Sequence, residues 1–126
     1  MPAPGMPSPV RGQIWFVKLD TDPPGKGLRP MIVVSEDIRN RHERVDTVLC
    51  VPLTTSVHKG LSSRILLPAG ETGLSADSAA RAEDITTIKK HNLVAPRYGL
   101  RQISHTRICQ IGRAVQIAIG CSAEAI

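Results

Sequence analysis

The chain has 126 residues, 41% of them hydrophobic, with a formal net charge of +5. That length suits one domain with a real core and is short for two, and no apolar run approaches the roughly 20 residues of a membrane helix. The basic excess favours a polyanionic partner, nucleic acid being the commonest. With Trp15, Phe16 and Tyr98 as the only aromatics, a multi-aromatic stacking platform is excluded, and charge would have to carry most of the affinity.

Residues 1–9, with four prolines, read as a flexible leader rather than a signal or transit peptide, and 10–126 as a single domain. "GQIWFVKLD" (12–20) predicts a first strand around Trp15, a residue for the core or a dimer interface. "TDPPGKG" is a loop by its prolines and glycines. "PMIVVS" is apolar on both faces and predicts a central strand, with Pro30 at its first position, where no ladder donor is lost. "EDIRNRHER" has room for one helical turn, and "DTVLCVPLTTS" and "SSRILLPA" predict the third and fourth strands. "GETGLSADS" reads as a loop, "SAARAEDITTI" (78–88) as a strand with a break, "KKHNL" as a short turn or helix, and "APRYGLRQI" as a connection with a last short strand. Ile108, Ile111, Val115, Ala118 and Ile119 recur at helical spacing, with Ser104 as N-cap and Gly120 as stop. Gly112 inside that helix costs about 1 kcal/mol relative to Ala, which suggests close approach of another backbone. The sum is an α+β fold, mostly β, of five or six antiparallel strands and a C-terminal helix.

The usual chemical signatures are missing. "PPGKGLRP" lacks the Walker spacing, and no GxSxG or HExxH occurs. His42, His58, His91 and His105 read as surface or loop histidines. Cys50, Cys109 and Cys121 form no CxxC pair, which fits reduced thiols in a cytosolic protein better than a disulfide scaffold or a zinc site. No cofactor is called for. What remains is polar residues at strand ends: Arg11, Arg29, the trio Thr54, Thr55 and Ser56, and Arg81, Glu83 and Asp84. An antiparallel sheet can set the start of strand two beside the end of strand three, bringing Arg29 next to Thr54.

Taken in order, "RGQIWFVKLD", "RPMIVVSEDIRNRH", "TVLCVPLTTS", "ILLPA" and "GLSADSAARAEDITTI" resemble the MazF/PemK (Kid) family of bacterial toxin endoribonucleases over residues 11–120. The resemblance implies an SH3-like small barrel of five to seven antiparallel strands with a C-terminal helix, acting as a cytoplasmic homodimer. It implies metal-independent cleavage of single-stranded RNA, often mRNA, and neutralisation by a cognate antitoxin whose disordered tail fills the RNA groove. The family's arginine before proline falls on Arg29, its Ser/Thr after "VPL" on Thr54, and the Arg-x-acid pair of the Kid branch on Arg81 and Glu83, with Glu for Asp. Arg11, Lys26, Thr55, Ser56, His58 and Lys59 are then the expected RNA contacts. The 21–28 loop is shorter than in many members, and Thr86 stands where many have arginine. Two alternatives stay open on the same fold: a non-enzymatic gyrase poison like CcdB, which the Arg-Pro and Thr elements disfavour, and an inactive RNA-binding domain, which those departures keep open.

Metal-free RNA cleavage uses the 2′-hydroxyl as nucleophile. It needs a base, a clamp on the dianionic phosphorane and an acid for the leaving 5′-oxygen; base or acid contributes about 10²–10⁴-fold. An arginine fork suits the clamp. On this reading Arg29 clamps the phosphate and assists proton transfer, Thr54 donates to it, Glu83 is the best carboxylate for the base, and Arg81 orients it or the phosphate. The products would be a 2′,3′-cyclic phosphate and a 5′-hydroxyl.

Overall fold

The computed structural model describes residues 7–56 and 63–121. Among the described residues eight strands form one antiparallel sheet: β1 Gln13–Val17, β2 Arg29–Val33, β3 Thr47–Thr54, β4 Arg64–Leu67, β5 Ser78–Arg81, β6 Thr86–Lys89, β7 Leu93–Val94 and β8 Arg101–Gln102. The count exceeds expectation because the stretch 78–88 divides into two strands, β5 and β6, and because β7 is a two-residue strand, too short to leave a periodic signal. Strand β3 organises the sheet. One edge pairs with β2; along the other, Thr47–Cys50 pair with β6 and Leu53–Thr54 with β5.

The described residues also hold three α-helices, α1 Asp37–Arg41, α2 Ala69–Thr72 and α3 His105–Ala118, and two 3₁₀ turns, Ala82–Asp84 and Lys90–Asn92. Helix α2 falls where a loop was expected; one turn is too short for periodicity to show, and Gly73 ends it at φ +75°. The break in 78–88 is a 3₁₀ turn at Ala82–Asp84, which separates β5 from β6. Helix α3 starts where the sequence predicts, the Ser104 side chain accepting the Arg107 amide at 3.2 Å.

Both faces of the central strands are covered, which is why their sequences are apolar throughout. On one face Ile14, Ile32, Val51 and Leu53 pack with Ile108, Ile111 and Ala114 of α3. On the other, Trp15, Val17, Met31, Val33, Val48 and Cys50 pack with Ile88 and Leu93. Trp15 is therefore a core residue, its indole N–H donating to Gln13 Oε1 at 3.1 Å. Pro9 is fully buried, so the leader expected to run through residue 9 gives way to packed chain before residue 10. Gly112 has no described atom within 4 Å of an added Cβ, so the backbone approach expected there is absent among the described residues.

Candidate active site

The site follows from register. Strands β1 and β2 pair Val17 with Arg29, and β2 and β3 pair Met31 with Pro52. Carried two residues along, that second register sets Arg29 opposite Thr54. Thr54 in turn pairs with Ala79, and Arg64 with Arg81. Alternation then puts Arg29, Thr54, Arg81 and Arg64 on one face, the face of Met31 and Cys50, at the end of the sheet where the second core stops. The pairing itself ends at Met31–Pro52, two residues short, so the meeting of Arg29 and Thr54 is what a continued register would give.

Arg29 is anchored. Its Nη2 donates to Asp22 Oδ1 at 2.5 Å, and the Asp22 side chain is only 6% exposed against 34% for Arg29. The second oxygen of Asp22 accepts the Leu19 amide at 3.1 Å. One nitrogen of the guanidinium is therefore occupied, and the fork keeps further N–H donors for a ligand. Thr54 Oγ1 accepts the Ser56 amide at 3.1 Å, an arrangement that fixes the hydroxyl and leaves its proton to donate.

Glu83 lies in the 3₁₀ turn, not on a strand beside Arg81. That turn brings its carboxylate back over β4. Oε2 accepts a short hydrogen bond from the Ser63 hydroxyl, and Oε1 takes Arg64 Nε at 3.3 Å, with Arg81 Nε at 3.7 Å. Arg81 Nη2 reaches Asp84 Oδ2 at 2.7 Å, while its buried Nε has no hydrogen-bond partner among the described residues. Burial pushes the Glu83 carboxyl up, but hydrogen bonds from Ser63, its own amide and Arg64, with the Arg64 charge, outweigh that and leave it below its usual value.

A cleft of about 960 Å³ opens on the other face of the sheet, that of Ile14, Phe16, Pro30 and Leu53, and of the row only Thr54, at the end of β3, lines it. Thr54, Thr55 and Pro30 form one wall; Gly73, Leu74 and the segment from Pro96 to Arg101 form the other. Arg97, Tyr98 and Arg101 were missed by sequence reasoning, although the single tyrosine flanked by arginine in "APRYGLR" is a signal that could have found them. Tyr98 is 95% exposed at the cleft. Arg64 was also missed, being read as ordinary strand sequence.

The other expected contacts divide. Thr55 and Ser56 are exposed beside Thr54, and Lys26 is exposed in the loop that carries Asp22. His58 and Lys59 lie outside the described residues. Arg11 does not join the row: its guanidinium donates to His105 Nδ1 at 3.0 Å and its amide to Asp37 Oδ1 at 2.7 Å, at the end of β1 opposite Val17. The five residues of β1, roughly 16 Å of strand, lie between it and the site. Among the described residues no group of His, Cys, Asp and Glu is arranged to hold a metal ion.

Residues 10–119 match the model of the PemK-like, MazF-like toxin of type II toxin–antitoxin systems. The chain is 34% identical over 116 residues to endoribonuclease MazF9 of Mycobacterium tuberculosis, covering 85% of this chain and 92% of that protein. Among solved structures, an endoribonuclease from a mycobacterial species superposes with a TM-score of 0.70 at 25% identity, covering 92% of this chain and 95% of that one. An endoribonuclease in complex with its cognate antitoxin, also mycobacterial, gives 0.69 at 27% identity, covering 89% and 95%. A match over nearly the whole chain shows that the chain belongs to the PemK-like, MazF-like toxins of type II toxin–antitoxin systems.

Proposed function

We propose that this toxin domain is a metal-independent endoribonuclease that cleaves single-stranded RNA at the Arg29–Thr54 row. The observation that carries the reading is the strand register that brings the start of β2 and the end of β3, with Arg29 and Thr54, to one end of the sheet, in a chain similar to proteins named endoribonucleases. Arg29 presents its remaining N–H groups to the non-bridging oxygens of the scissile phosphate, and the Thr54 hydroxyl donates to the same group. Both are fixed before substrate arrives, which is when such donors help most. The 2′-hydroxyl attacks the phosphorus, the bond to the 5′-oxygen breaks, and a 2′,3′-cyclic phosphate and a 5′-hydroxyl remain.

Glu83 is ionised at neutral pH, as a base must be, yet both its oxygens already have partners. The geometry favours Glu83 as the anchor of Arg64 and Arg81, which place further positive charge along the row. Lys26 adds charge from the loop that carries Asp22, and Arg97 and Arg101 add charge in the cleft on the other face. The proposed setting is a cytoplasmic homodimer held in check by a cognate antitoxin, as one similar mycobacterial endoribonuclease is solved with its own antitoxin.

The test is a long single-stranded RNA incubated with the purified protein in EDTA, with the ends mapped. Cyclic-phosphate and 5′-hydroxyl ends are expected. Arg29→Ala should lose about 10²–10³-fold, and Thr54→Val about tenfold, the scale of one hydrogen bond to a charged group. Intact RNA with the wild-type protein would sink the reading and leave a non-enzymatic toxin or an RNA-binding domain.

A further inference from the structure

We propose that Arg64 is a positioning residue of the cleavage site, tying the end of β3 that carries Thr54 to the carboxylate that holds Arg81. The inference rests on the endoribonuclease reading above and deepens it. Arg64 opens β4 and pairs in register with Arg81. Its side chain is only 13% exposed, unusually covered for an arginine at a strand start. The two ends of its guanidinium serve different elements. Nε donates to Glu83 Oε1 at 3.3 Å, and Nη1 donates to the Ser56 carbonyl at 3.3 Å. Ser56 is the residue whose amide donates to Thr54 Oγ1. One planar group therefore links the turn that sets the Thr54 hydroxyl to the acid that sets Arg81.

The arrangement explains two facts that are otherwise unconnected. Two arginines of like charge face each other across adjacent strands, a repulsive pair unless an anion lies between them. Glu83 is that anion, and Ser63 fixes its other oxygen. The charged groups facing Glu83 are Arg64 on β4 and Arg81 on β5, and Asp84 draws the far end of Arg81 away. Removal of Arg64 frees Glu83 to rotate, lets Arg81 follow Asp84, and releases Ser56. Because the fork spans two acceptors, a lysine, which is a point charge, does not replace it.

The experiment compares wild type, Arg64→Gln, Arg64→Lys and Ser63→Ala. Cleavage of a long single-stranded RNA gives kcat and KM across pH, and binding is measured on a fully 2′-O-methylated RNA, which lacks the nucleophile. Arg64→Gln should lower kcat by about 10- to 100-fold, the scale of a misplaced catalytic group, while binding to the methylated RNA changes less than about 3-fold. The acid limb of the kcat/KM profile should move to higher pH, since Glu83 loses a partner that favours its charged form. Arg64→Lys should not restore kcat. Ser63→Ala, whose small side chain tests the same carboxylate with little risk to folding, should move the limb the same way by less. Binding lost in step with rate, and an unmoved limb, would make Arg64 a phosphate contact and overturn the proposal. Unchanged kinetics would reduce it to a surface ion pair. Wild-type protein that leaves RNA intact would instead remove the endoribonuclease reading itself, so the two failures are distinct.

Discussion

Asp22 and Arg29 form a 2.5 Å ion pair in which the acid is almost wholly covered and the arginine is not. The catalytic candidate is thus neutralised by its own loop before any RNA arrives. A phosphate that meets this fork competes with a carboxylate already seated on it. Asp22→Asn keeps an acceptor and removes the charge. It should bind single-stranded RNA about tenfold more tightly, roughly 1.4 kcal/mol, with the gain shrinking as salt rises. Titration at two ionic strengths checks this. Lower kcat with unchanged affinity would mean that Asp22 serves to hold the fork instead.

The three cysteines differ sharply in surroundings. Cys50 lies at the centre of β3 with no exposed surface, and burial pushes its thiol up to about 12. Cys109 is partly exposed and Cys121 exposed. The thiolate is the reactive form, so at pH 8 only about one Cys50 in 10⁴ is ready to react. Alkylation of the native protein followed by mass spectrometry should label Cys109 and Cys121 and spare Cys50 until denaturant is added. Early labelling of Cys50 would show that the second core opens readily.

Arg107 on α3 grips Glu71 on α2 with two hydrogen bonds, Nε to Oε2 at 3.0 Å and Nη2 to Oε1 at 2.9 Å. Through this fork the terminal helix holds the short helix that leads into one wall of the cleft. The Arg107 hydrogen bonds and charge lower the Glu71 carboxyl and raise the Arg107 guanidinium. A depressed carboxyl contributes stability that is fully present above its unfolded value of about 4.5 and is lost as pH falls through the folded value. Glu83 acts in the same direction. Thermal melts should therefore fall below pH 4.5, and less steeply in Glu71→Gln, which has already lost the charged pair. Parallel curves for the two proteins would show that this pair contributes nothing measurable, a common result for exposed ion pairs.

How much of this was legible in the sequence depends on what each residue answers to. The apolar spacing through Ile108 and Ile111 gives α3 because periodicity is a property of the helix itself. The opposition of Arg29 and Thr54 was legible because consecutive antiparallel strands leave little freedom in which ends meet. Arg64 was not, because its partner on β5 is set by register across a connection of ten residues, 68–77, whose shape no pattern encodes. Glu83 was placed on a strand with Arg81, and the 3₁₀ turn that re-aims it has no periodic signature. Asp22 sits in "TDPPGKG", where prolines and glycines announce a loop but not which side chain turns inward. Arg11 was placed at the site by its role in a motif, and the length of β1 separates it.

Gly112 supplies a last test, of the helix face rather than of the site. It lies mid-helix in α3, exposed, and an added methyl would meet no described atom within 4 Å. Nothing in the described chain requires glycine there. Glycine in a helix interior costs about 1 kcal/mol relative to alanine, so Gly112→Ala should raise stability by about that amount. For a domain of this size that is a rise in Tm of a few degrees. Thermal and urea melts of the dilute protein check it. A destabilised variant, or a gain that turns into a loss as protein concentration rises, would mean that a second molecule packs against this face, where the missing side chain permits close approach. The outcome therefore separates a free helix surface from an interface.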